Sequence, residues 1–241
     1  MSGVPAVLPP APPFGRLKLA IFDIEGTTTS IAFVYDVLFP YARAALGDFL
    51  ALHWDEPHVQ DAAQRMGAGA GTSPQAAAAR ALELMDGDVK DTGLKALQGL
   101  VWSQGYADGT LRGHVFADVP AAFAGLAARD VAIAIYSSGS VAAQKLIFGC
   151  SEAGDLTPAI AAWFDTTTGP KKDPQSYLTI VQSLGVAPAE AVFFTDNLDE
   201  ARAARAAGLD VRVMLRPGNP ALPPGHGFEE WSSFAALVVA T

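Results

Sequence analysis

The chain has 241 residues, half of them hydrophobic and 17% charged, with a formal net charge of −9 and a sequence pI near 4.8. That is ample apolar material for a globular core, and the acidic balance excludes nucleic-acid binding by bulk electrostatics, because a phosphate backbone needs a basic surface. An anionic substrate must meet local compensation from a metal or a particular Lys or Arg. Cys150 is the only cysteine, which excludes an intrachain disulfide and a cysteine-based zinc site.

In chain order, Met1–Pro13 carries Pro5, Pro9, Pro10, Pro12 and Pro13 and no basic residue. It lacks the charged and apolar regions of a signal peptide, so residues 1–16 read as a flexible Pro-rich leader. No stretch approaches the roughly 18 apolar residues of a transmembrane helix, and a cytoplasmic protein without a membrane partner is expected. Leu17–Phe22, broken only by Lys18, reads as a buried strand. It ends in Asp23-Ile24-Glu25-Gly26-Thr27-Thr28-Thr29-Ser30. Ile31–Leu52 repeats apolar residues at helical spacing, with Pro40 expected to kink or divide the pattern. The glycine-rich stretch around Met66–Gly71 reads as a mobile loop. Pro74 opens a helix over Gln75–Met85, and Asp91–Tyr106 forms another. Between Ser30 and about His114 no strand is predicted, so residues 32–114 read as an all-helical insertion.

Strand signals then resume. Asp118–Arg129 is a predicted helix and Val131–Tyr136 a buried strand ending in Ser137-Ser138-Gly139-Ser140. Val141–Phe148 is helical, Trp163–Asp165 a short strand, and Pro174–Leu184 a helix after the loop that carries Lys171 and Lys172. Ala191–Thr195 is a strand ending in Asp196-Asn197, followed by a helix through Arg205, a strand over Val211–Leu215 and a last helix over Glu229–Val239. Alternation of this kind implies an α/β fold with a mostly parallel sheet between helices, its core being residues 17–31 and 115–241.

A parallel sheet gathers its carboxyl strand ends on one edge, where ligands bind. Asp23 with Glu25, Ser137 with Ser138, Lys171 and Asp196 all fall there. Together they supply a nucleophile toward phosphorus, hydroxyl donors, a cation and a second carboxylate for a metal, which are the parts phosphoryl transfer requires. Each has a plainer account: strand-end acids cap turns, serines cap helices, and a lone loop lysine is a surface charge. Capping and phosphate binding are compatible, because a helix N-terminus favours anions.

These four groups resemble the four motifs of the haloacid dehalogenase-like phosphohydrolases. Glu25, where most phosphatases of that superfamily carry Asp, is similar to the enolase-phosphatase (acireductone synthase) family, as are Asp36–Tyr41, Tyr136–Leu146 and Arg216-Pro217-Gly218-Asn219. The resemblance runs from about Leu17 to about Asn219 and is weakest between Glu56 and Asp91. It implies a Rossmann-like core, a helical cap, one Mg²⁺ per subunit and a monomer. The implied substrate is a small phosphorylated diketone, 2,3-diketo-5-methylthiopentyl 1-phosphate, converted to acireductone and phosphate in methionine salvage. By the same resemblance Asp23 is the nucleophile and a Mg²⁺ ligand, and Glu25 is the general acid/base whose backbone carbonyl binds Mg²⁺. Ser137 and Ser138 hold substrate, Lys171 neutralises and binds it, and Asp196 is the remaining Mg²⁺ carboxylate. Lys172 competes with Lys171; the spacing shared with the family selects Lys171. Asn197 and Asp199, close after Asp196 where many members of the superfamily carry a second acid, are assigned no role. The alternatives are a phosphatase of the same superfamily acting on another small ester, or a phosphoester-binding module without catalysis. Arg216–Asn219 is given its plainer reading, a turn from strand to loop.

Overall fold

The computed structural model describes residues 16–67 and 71–238, so the leader and the centre of the predicted glycine-rich loop lie outside the described residues. The described residues divide into two compact units, one formed by residues 16–28, 117–138 and 158–238, the other by residues 29–67, 71–116 and 139–157.

The first unit is a six-stranded parallel sheet in the order β3-β2-β1-β4-β5-β6. Its strands are β1 (Leu19–Phe22), β2 (Ala132–Tyr136), β3 (Ala162–Phe164), β4 (Ala191–Thr195), β5 (Asp210–Met214) and β6 (Glu229–Trp231). The central strands β1 and β4 are buried throughout, as expected of a parallel sheet covered on both faces. Phe22 stacks on Phe194 at 4.8 Å between ring centroids and meets Phe123 and Phe234 at 5.3 and 5.2 Å. Strand order reverses at β1, which has β2 on one side and β4 on the other; this is the switch point at which open α/β sheets bind ligands.

The C-terminal segment corrects the sequence reading. The predicted helix over Glu229–Val239 is not formed among its described residues 229–238: Glu229–Trp231 forms the edge strand beside β5, and Ala235–Leu237 makes a single 3₁₀ turn. Trp231 satisfies two demands that a helix would not, ring contact with Phe194 at 5.7 Å and sheet pairing opposite Met214.

The second unit is helical. A short helix α1 (Ile31–Phe33) runs into a π-turn over Val34–Leu38 and then α2 (Phe39–His53). Pro40 sits in the first turn of α2 directly after the π-segment, so its missing N–H falls where the ladder changes and the helical pattern is divided there. Next come α3 (Pro57–Arg65), α4 (Pro74–Asp86) and α5 (Thr92–Ala107), the last two N-capped by Ser73 and Asp91. The sequence reading missed α3, a nine-residue and largely polar helix that follows a glutamate without a side-chain cap. It forms because Val59, Ala62 and Ala63 bury a narrow stripe against α5, where Gly93 leaves room for the backbone of Ala62. Helix α7 (Val141–Gly149) belongs to this unit as well. The chain after it is tied back to the residues preceding Phe116, through the Gly113–Ser151 bridge and the bond from the Gly113 N–H to the Cys150 carbonyl at 2.8 Å. Residues 139–157 thereby join the helical unit, whereas the sequence reading put them in the core.

Candidate active site

In the sheet unit, helix α6 (Val119–Ala127) precedes β2, α8 (Pro174–Ser183) follows β3, and α9 (Leu198–Ala206) follows β4. The register of β1 against β4 builds the site. Phe22 pairs with Phe194, and the Asp23 N–H donates to the Phe194 carbonyl at 2.9 Å. Asp23 thus lies beside the strand end that carries Thr195 and Asp196. Its carboxylate is held from several sides. The Ile24 N–H donates to Oδ1 at 2.8 Å, the Lys171 ammonium lies 2.6 Å from the same oxygen, and the Thr195 hydroxyl is 3.5 Å from Oδ2. The Thr28 hydroxyl donates to the Asp23 carbonyl at 2.9 Å.

Lys171 reaches this position because three hydroxyls fix the loop that presents it. Tyr136 donates to the Gly169 carbonyl at 2.9 Å, Ser176 to the Pro170 carbonyl at 2.8 Å and Tyr177 to the Lys171 carbonyl at 2.7 Å. Gly169, with φ of +149°, is required: a Cβ there would collide with the Ser176 hydroxyl. Lys172 instead points outward to Asp199 at 2.9 Å, with both side chains more than half exposed.

Glu200 completes the cluster, and the sequence reading did not single it out. It is buried, lies 2.7 Å from the Lys171 ammonium and accepts from the Thr195 hydroxyl at 2.9 Å. No signal in the sequence set it apart, since Asp199 and Glu200 stand side by side in the first turn of α9 after the Asn197 cap. Burial lowers the Lys171 pKa, yet the charges of Asp23 and Glu200 outweigh that effect and raise it overall. Burial, then the charge of Asp23, pushes Glu200 up to about 7. The Asp196 carboxyl is also raised to about 7, by burial first and by the Asp23 charge next, with Glu25 adding a smaller push; Lys171 offsets this only in part.

Glu25 is half-buried in the turn after β1. Ser137 is buried and Ser138 exposed immediately beyond β2, the other neighbour of β1; the Ser137 N–H donates to the Phe164 carbonyl at 3.2 Å. The cap of α7 is Ser140, which accepts from Ala143, so neither Ser137 nor Ser138 serves that purpose. Asn197 caps α9 through Asp199 and Glu200, and Asp199 is spent on Lys172 and Arg202. Arg216 to Asn219 does form a turn, closed by the Asn219 N–H on the Arg216 carbonyl at 3.0 Å. Its side chains do more than the sequence reading assigned. Arg216 is buried, pairs with Asp118 at 2.8 and 3.0 Å and donates to the Thr27 carbonyl at 2.9 Å.

A buried nucleophile-type carboxylate paired with lysine, with a second carboxylate at the adjacent strand end, is a phosphoryl-transfer arrangement. Comparison with known proteins agrees. The haloacid dehalogenase-like hydrolase family matches residues 17–208, and the chain belongs to that family. Within it, the chain is 47% identical over 227 residues to the enolase-phosphatase E1 of Synechococcus elongatus, covering 87% of this chain and 95% of the relative. It is 46% identical over 240 residues to the enolase-phosphatase E1 of Drosophila melanogaster, covering 91% and 92%. Among solved structures, the UTR4 protein of Saccharomyces cerevisiae superposes with a TM-score of 0.79 at 33% identity, covering 91% of this chain and 99% of that one.

Proposed function

We propose that this protein is an enolase-phosphatase that converts 2,3-diketo-5-methylthiopentyl 1-phosphate to acireductone and phosphate in methionine salvage. The observation that carries the chemistry is the Asp23 carboxylate at the end of β1, 2.6 Å from the buried Lys171 ammonium, with Asp196 at the end of the neighbouring strand. The similarity to enolase-phosphatases along nearly the whole chain supports the substrate.

Among the described residues no group of three or more His, Cys, Asp or Glu side chains is arranged to hold a metal ion. The donor set nonetheless fits Mg²⁺, which keeps several waters and takes few protein oxygens. Asp196 is a half-buried carboxylate whose charge is opposed by Asp23 and incompletely offset by Lys171, and a divalent cation supplies the missing compensation. Asp23, Asp196 and the Glu25 backbone carbonyl would hold it. When bound, it supplies charge neutralisation at phosphorus and polarisation of the diketone oxygens.

The chain's own groups divide the remaining work. Asp23 attacks phosphorus and carries the phosphoryl group as an aspartyl-phosphate. Lys171 stays within reach of the transferring oxygens because Glu200 and the three hydroxyls hold its loop. Ser137 and Ser138 donate to the phosphate. Glu25 gives its proton to the leaving oxygen and then takes one from the water that hydrolyses the intermediate. We read the working form as a cytoplasmic monomer holding one Mg²⁺, with no nucleic-acid or membrane partner; no helix among the described residues is long and apolar enough to cross a membrane.

The test mixes purified protein, Mg²⁺ and the diketone phosphate without oxygen, following enol absorbance and free phosphate together. Both signals, abolished by chelation, are expected. Phosphate release only from other esters would overturn the substrate while leaving the phosphatase chemistry.

A further inference from the structure

We propose that Asn219 is a positioning residue for divalent-cation binding by Asp196. The inference rests on the metal reading of the site given above. The turn after β5 grips the loop that carries Glu25 at two successive carbonyls: Arg216 takes Thr27 at 2.9 Å, and the Asn219 carboxamide nitrogen takes Gly26 at 2.8 Å. The same nitrogen also reaches the Met214 carbonyl at 3.2 Å. Both of its N–H groups are therefore spent on carbonyl oxygens, and the carboxamide has only one acceptable orientation: turned over, its oxygen would face two acceptors.

That orientation leaves the Asn219 Oδ1 buried with no hydrogen-bond partner, an arrangement that costs free energy and calls for an explanation. The space it faces is shared. A Cβ built on Gly26, whose φ is +68°, would land on the Asp196 carboxylate and lie 2.9 Å from Asn219 Oδ1. An acceptor and the Asp196 carboxyl thus lie around the same point above the Gly26 Cα. A cation held by Asp196 would bring positive charge beside that acceptor, while the Gly26 carbonyl remains fixed by the other end of the same side chain. Asn219 in this way ties the turn bearing Glu25 to the end of β5 and holds an acceptor beside Asp196, and so fixes the Glu25 turn relative to the oxygens that would receive the cation. Arg216 lacks this link, because its guanidinium is committed to Thr27, Asp118 and Ser232.

The experiment measures Mg²⁺ binding calorimetrically on the metal-stripped full chain, together with the rise in melting temperature that Mg²⁺ produces. Wild type should bind, and Asp196→Asn should not. Asn219→Ala should bind about ten-fold or more weakly, in the range expected when a residue supporting metal ligands is lost, with a correspondingly smaller rise in melting temperature. If Asn219→Ala does not fold, Asn219→Ser is measured in its place. Unchanged Mg²⁺ affinity in a folded Asn219 variant would overturn the inference alone. Absence of Mg²⁺ binding by wild type would overturn the metal reading beneath it.

Discussion

The two units of this chain treat charge in opposite ways. Among the described residues, the buried charged side chains are Asp23, Lys171, Glu200, Arg212 and Arg216, and all belong to the sheet unit. The helical unit buries Leu46, Leu50, Val59, Ala77, Ala81, Leu97 and Val101 in an apolar centre. Its arginine–carboxylate pairs, Arg43 with Asp86, Arg65 with Asp61 and Arg80 with Glu83, lie on exposed faces. Taking a charge out of water is expensive, and a buried pair of this kind is no gain over well-packed apolar side chains. The sheet unit accepts that cost at the carboxyl edge of the sheet for Asp23, Lys171 and Glu200, where phosphoryl transfer needs preorganised charge, whereas Arg212 within β5 pairs with Asp210 and Glu229. The helical unit has no such requirement and follows the ordinary rule of apolar inside and charged outside.

The contrast is most exposed at Lys171. Replacing it with Met leaves the Asp23 and Glu200 carboxylates buried around an apolar side chain, and a loss of about 3–5 kcal/mol of stability is expected. Adding Glu200→Gln should return part of the stability but none of the turnover. Urea melts and phosphate release on the single and double variants check both statements. A double variant no more stable than the single one would break the account of the cluster.

A smaller effect is expected from pH. The Asp196 carboxyl is raised from its ordinary 3.8 to about 7 by burial and by Asp23. Between those values the native metal-free chain keeps a proton that the unfolded chain has released. Stability of the metal-free protein should therefore fall as pH rises from about 4 to about 7, by on the order of 3 kcal/mol. Asp196→Asn should flatten the part of this slope due to that carboxyl, and saturating Mg²⁺ should oppose it. Urea melts across the window, with chelator and then with Mg²⁺, provide the measurement; a metal-free slope that the Asp196 variant leaves unchanged would contradict the assignment.

The smallest effect should come from the helical unit. Arg43→Ala removes a pair at 2.7 Å whose side chains are about half exposed or more, and such pairs contribute about 0–1 kcal/mol. A change of several kcal/mol in a thermal melt would break the comparison from the other side.

How much of this could be read from sequence follows from the same physics. Strands β1, β2 and β4 announce themselves as short apolar runs, and each ends in polar residues that a buried strand cannot contain, which is why Asp23, Ser137 and Asp196 were visible. Lys171 was visible through its place between two strand-end motifs, and spacing shared with a family separated it from Lys172. Glu200 was not, because on an exposed helix Asp199 and Glu200 read alike; only the fold turns one toward Lys171 and the other toward Lys172. The Arg216 turn was legible as a turn but not as a clamp, since its partners, the carbonyls of Gly26 and Thr27, lie almost the whole length of the chain away. Helix α3 and strand β6 were missed for a related reason. Each is short, and tertiary packing against α5 or β5 decides it rather than its own pattern.

The most direct test of the central claim is to quench the enzyme in acid during turnover and locate the phosphoryl group by mass spectrometry. The expected result is phosphorylated Asp23 in wild type, with neither labelling nor phosphate release in Asp23→Asn. Sustained phosphate release by the Asp23→Asn protein, or a phosphoryl group on another residue, would contradict it.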